Sequence, residues 1–153
     1  MNPIRIGERL PQLALPDQER NIVDVSSLRG KNVLLSFHPL AWTAVCARQM
    51  EALEANAAAF ESAHAVALGI SVDPVPSKKA WADAIHIEKT RLLSDFWPHG
   101  KAAQDLGLFR DGDGFSERAA VIIDREGIVR FVKIYELSEV PNVDALIEEI
   151  HAL

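Results

Sequence analysis

This chain of 153 residues has one cysteine, Cys46. An internal disulfide is therefore excluded, and so is Cys-x-x-Cys dithiol chemistry. A lone thiol fits a reducing compartment, and a cytoplasmic location is expected. No run of about eighteen apolar residues occurs, so no transmembrane helix is expected. The segment from Met1 to Glu8 lacks the apolar core of a secretory leader. The chain also lacks an excess of positive charge: its formal net charge is −6. That argues against nucleic acid and anionic membrane surfaces as partners, because both need a basic face. Neither G-x-S-x-G nor G-x-G-x-x-G appears, and Gly30-Lys31 lacks the rest of a phosphate loop. The five histidines, at 38, 64, 86, 99 and 151, show no metal-ligand spacing. Asp111-Gly-Asp113-Gly114 lacks the closing glutamate of a calcium loop. No metal and no cofactor are expected.

What is present is ordinary globular material, 48% apolar and 25% charged. Without a repeat or a linker, residues 1–153 read as a single domain. The prolines at 3, 11 and 16 suit an extended entry segment, and Asn21 to Val25 suits a short edge strand. Apolar runs over 33–37, 65–72, 91–94 and 118–123 predict buried strands. The last is followed by a turn at Asp124 to Gly127 and a partner strand over 128–135. Helices are expected over 46–63, over 77–85 with Ala80, Trp81 and Ala84 on its inner side, and over 99–106. A final helix is capped by Asn142, with Val143, Leu146, Ile147 and Ile150 inward. Strands alternating with helices, then a hairpin, predict an α/β fold with a central mixed sheet flanked by helices.

The chain is organised around residues 33 to 53. Val33 to Phe37 is a strand covered on both faces, and Pro39 ends it because proline cannot donate to a ladder. Cys46, Met50, Leu53, Ala57 and Phe60 then recur at helical spacing. Thr43 is a natural N-cap, and Cys46 falls in the first turn, near unpaired N–H groups and the positive end of the helix dipole. A thiol so placed can ionise more easily than the ordinary value of about 8.5. A small buried hydrophobe is the alternative for a lone cysteine.

Pro39-x-x-x-Thr43-x-x-Cys46 resembles the signature of the peroxiredoxins, of the AhpC/TSA family. Phe37-His-Pro-Leu-Ala-Trp-Thr-Ala-Val-Cys46, Ser71-Val-Asp73, Ser94-Asp-Phe-Trp-Pro-His-Gly100 and Glu117-Arg118 follow that family along nearly the whole chain. The Pro-Leu-Ala and Asp-Phe-Trp-Pro-His-Gly segments look most like the AhpE-type one-cysteine subgroup. The resemblance implies a thioredoxin-like three-layer fold and a thiol peroxidase. Cys46 would reduce hydrogen peroxide, organic hydroperoxides or peroxynitrite and become sulfenic acid. Thr43 would hold the peroxide through its hydroxyl, Arg118 would support negative charge, and Pro39 would shield the sulfur. The N–H groups of Ala44 and Val45 would meet the leaving oxygen, and Trp42, with the 108–117 loop, would form the pocket rim.

Two departures stand out. Gln49 occupies a place where many relatives carry an acid, and Trp42 one where phenylalanine is common. With no second cysteine, an external thiol or a glutaredoxin- or thioredoxin-like protein must re-reduce the enzyme. A homodimer packed through loops near the active site is implied as well. A peroxide sensor passing oxidation to a partner protein is the alternative, since its first chemical step is the same. His38, beside Pro39, reads as structural or solvent-facing.

Overall fold

The strand before Pro39 lies at the centre of the molecule, in a computed structural model that describes residues 2–153. In chain order the elements are β1 (Ala14–Pro16), β2 (Ile22–Asp24), a 3₁₀ turn (Val25–Leu28) and β3 (Asn32–Phe37). There follow α1 (Ala44–Ala55), α2 (Ala57–Ser62), β4 (Ala65–Ser71), α3 (Val75–Ala84), β5 (Arg91–Ser94) and α4 (Lys101–Asp105). The chain ends with β6 (Phe109–Arg110), β7 (Phe115–Ser116), β8 (Arg118–Ile123), β9 (Val129–Tyr135) and α5 (Val143–His151). The main sheet has the order β5-β4-β3-β8-β9. β3, β4 and β5 run parallel, while β8 and β9 are antiparallel additions. Every residue of β3 and of β8 is buried.

Alternation along the strands divides the core into two layers. Val33, Leu35, Phe37, Val121 and Ile123 pack with α4 and the amino-terminal segment. Leu34, Ala120 and Ile122 pack on the other face with α1, α2, α3 and α5. This is the expected mixed sheet between helical layers. Gly69 of β4 leaves room for α1: a β-carbon there would collide with the Met50 sulfur.

Several boundaries differ from the sequence reading. The long helix starts at Ala44 and divides at Asn56, where φ is −105° and ψ 15°. The Asn56 side chain donates to Ala52 O at 2.8 Å, a local bond that competes with helix continuation. In α3 the buried residues are Lys78, Trp81 and Ala82, and Ala80 and Ala84 face solvent. Pro16 does not interrupt regular structure but ends β1, pairing with Ile22 on a two-stranded edge where proline is tolerated. The 108–117 loop holds the small β6–β7 hairpin.

The helix expected over 99–106 is shorter and is held by Asp95, which is 1% exposed. Its two oxygens accept from Ala102 N at 2.9 Å and Ala103 N at 3.0 Å. Asp95→Ala leaves both donors unmatched and is expected to lower unfolding free energy by about 2 kcal/mol, read as a shifted urea midpoint.

Candidate active site

The site forms where β3 ends and α1 begins. Pro39 is buried just past the strand, and Thr43 takes the N-cap position with extended backbone. Its side chain makes no capping bond, contrary to the expectation. The hydroxyl donates instead to Leu40 O at 2.7 Å, across the loop. Thr43 O still accepts the first helical bond, from Ala47 N at 2.9 Å. Ala44 and Val45 open the helix, and Cys46 lies in its first turn. The donors at this end are therefore free of a side-chain cap.

Cys46 is fully buried, yet it lies against a cation. Arg118 opens β8, is 3% exposed, and directs Nη1 at Cys46 Sγ from 3.3 Å. The same nitrogen donates to Gln49 Oε1 at 2.6 Å. Nε and Nη2 donate to Leu137 O at 3.1 and 2.8 Å. Gln49 Nε2 in turn donates to Ser36 Oγ at 2.8 Å and Phe37 O at 3.0 Å. The guanidinium is thus held by neutral oxygens, with the Cys46 sulfur as its remaining partner. Gln49→Ala removes this brace; peroxide-driven oxidation of Cys46 is expected to slow about tenfold, with about 2 kcal/mol of stability lost, by stopped flow and urea titration.

Trp42 is 56% exposed and has a left-handed φ of 68°, a conformation costly for a bulky residue. Its Nε1 donates to Ser77 Oγ at 3.1 Å, tying the loop to α3. Ala41 N donates to Asp73 Oδ2 at 2.8 Å, a second tether.

Cys46 and Arg118 thus meet at the start of α1, and comparison with known proteins shows the family. The AhpC/TSA family model matches residues 6–132. The chain belongs to this family. It is 39% identical over 138 residues to alkyl hydroperoxide reductase E of Mycobacterium tuberculosis, spanning 90% of each chain. It is 30% identical to bovine peroxiredoxin-2, over 96% of this chain and 77% of that one. The structure of a reduced 2-Cys peroxiredoxin from Plasmodium vivax superposes with a TM-score of 0.89 at 30% identity, covering 98% of this chain and 82% of that one. The protein is a thioredoxin-fold peroxiredoxin, a thiol-dependent peroxidase with a single cysteine.

Beside this constellation lies a second buried cluster, and one of its members, Lys78, is absent from the sequence reading. His38 is neither solvent-facing nor peripheral: it is fully buried, and its ring lies 5.4 Å from that of Trp81. Its Nε2 is 3.2 Å from Lys78 Nζ, which donates to Ser71 Oγ at 2.5 Å. Ser71 Oγ donates onward to Asp73 Oδ2 at 2.6 Å. Burial pushes the Lys78 ammonium down from 10.5 to about 7, against the pull of Asp73, Cys46 and Asp95. Burial, then the Lys78 charge, holds His38 well below the ordinary imidazole range. The signal for Lys78 was in the sequence: positions 78, 81, 82 and 85 draw one helical face.

A depressed folded-state pKa means that, between about pH 7 and the lysine's ordinary 10.5, the unfolded chain binds more protons than the native one. Stability therefore rises with pH across that window. Thermal melts across that window should show the rise in wild type and its loss in Lys78→Met.

Proposed function

We propose that Cys46 is the peroxidatic nucleophile. As thiolate it attacks one peroxide oxygen, breaking the O–O bond, forming sulfenic acid and releasing hydroxide or alkoxide, which takes a proton, or nitrite where the substrate is peroxynitrite. The observation that carries this reading is the Arg118 Nη1 contact to Cys46 Sγ at 3.3 Å, in a guanidinium with no carboxylate partner among the described residues. A permanent cation at that distance favours the thiolate and later meets charge on the departing oxygen. Thr43 offers its hydroxyl to the peroxide by exchanging its bond to Leu40 O, Pro39 excludes water from the sulfur, and the Ala44 and Val45 N–H groups receive the leaving oxygen. Trp42 forms the rim.

Hydrogen peroxide, organic hydroperoxides and peroxynitrite are the proposed substrates; the name of the mycobacterial relative supports the second of these. One external thiol condenses with the sulfenic acid, releasing water and forming a mixed disulfide; a second thiol frees Cys46 and leaves oxidised with the first. A small thiol or a glutaredoxin- or thioredoxin-like protein fills this role. We further propose a cytoplasmic protein whose residues 1–153 act as one domain. A homodimer through loops near the site is supported by the exposed aromatic rings of Trp42, Phe96 and Trp97.

Treatment with one equivalent of peroxide tests the chemistry. Mass spectrometry should show one added oxygen on Cys46, removed by an external thiol; oxygen found only on methionine would overturn the reading.

A further inference from the structure

Lys78 is hard to explain as packing. It is fully buried, yet no carboxylate contacts its ammonium directly among the described residues; Asp73 is reached only through Ser71 Oγ. An uncompensated buried ammonium is costly, and a leucine or methionine would fill the space more cheaply. What the ammonium touches is informative. His38 immediately precedes Pro39. Asp73, at the far end of the serine relay, holds Ala41 N. Lys78 is therefore linked to the Pro39–Thr43 loop at two points: directly to His38, just before Pro39, and through Ser71 and Asp73 to Ala41 at its middle.

We propose that Lys78 is a positioning residue of the peroxidase: protonated, it joins His38, Ser71 and Asp73 into the frame that fixes the Pro39–Thr43 loop, and its charge adds to that of Arg118 in favouring the Cys46 thiolate. The inference rests on Cys46 being the peroxidatic thiol.

Five groups bear on the lysine and its histidine partner. His38 faces it from the end of β3, Cys46 from α1, Asp73 from beyond β4 and Asp95 from beyond β5. Arg118 of β8 acts on His38. His38 stays neutral over the working range, because burial and the adjacent ammonium both oppose its protonation. Lys78 changes charge near neutrality, at about 7. Below that value Lys78 carries its charge. Above it the charge is gone, while the packing remains.

The test compares second-order rates of Cys46 oxidation by hydrogen peroxide in wild type and Lys78→Met as pH is varied. Wild type should be about tenfold faster at about pH 6, and the two should converge by about pH 9, the ratio falling through a midpoint near 7. A ratio that stays constant with pH marks a purely structural lysine and overturns the proposal. Should Lys78→Met fail to fold, NMR of the Lys78 Nζ and Cε in wild type and Cys46→Ser decides. A midpoint near neutrality that drops when the sulfur is removed supports the proposal; one above about pH 9, or one indifferent to Cys46, overturns it. Peroxide consumption that persists in Cys46→Ser would instead discard the peroxidatic reading itself, so the two failures are distinct.

Discussion

Cys46→Ser is expected to end peroxide consumption, lowering the second-order rate by roughly 10⁵-fold or more. The hydroxyl of serine ionises far too weakly to stand in for a thiolate, and the sequence holds no other thiol to substitute. The variant should fold, since serine is the smaller side chain and adds no bulk to the packed site. Stopped-flow mixing with hydrogen peroxide, set beside the unfolding midpoint, separates lost chemistry from lost structure. Undiminished consumption in the folded serine variant would place the reaction elsewhere.

Arg118 should give the second largest effect. Arg118→Met removes the cation at 3.3 Å from Sγ and leaves Gln49 Oε1 and Leu137 O without their donors. Loss of such a preorganised donor slows reactions by about 10²–10³-fold, and the orphaned oxygens cost about 1–3 kcal/mol each. Arg118→Lys separates the two contributions. It keeps a charge, but one ammonium cannot reproduce four bonds spread over three nitrogens. Its oxidation rate should lie between those of methionine and wild type, with stability only partly recovered. Alkylation by iodoacetamide reports thiolate independently of peroxide, and should fall in the order Arg, Lys, Met. An Arg118→Met enzyme that alkylates and oxidises like wild type would remove Arg118 from the mechanism.

Much of this was legible in the letters. Val33 to Phe37 is apolar enough to be a central strand, and the family resemblance, not spacing, puts Arg118 beside Cys46 across 72 positions. The Asn142 cap was read correctly, with Oδ1 accepting from Ala145 N at 3.2 Å. What failed did so for physical reasons. Ala57 and Phe60 continue the period of α1 across Asn56, so hydrophobic spacing alone cannot see the break. Thr43 has the right type and place for a cap, but a nearer carbonyl, Leu40 O, captures its hydroxyl. Lys78 was passed over because a charged residue is assigned outward by default. Only the tertiary grouping of His38, Ser71 and Asp73 makes its burial tolerable.

The full burial of Cys46 among Met50, Leu53 and Trp81 has a further consequence. Oxidation adds an atom to a densely packed interior, where even small increases in volume are felt. The sulfenic form should therefore be the tighter fit, loosening the first turn of α1 and lifting its own product toward the surface. Spent enzyme would thus present itself to the next thiol through crowding, and fresh enzyme would stay hidden from it.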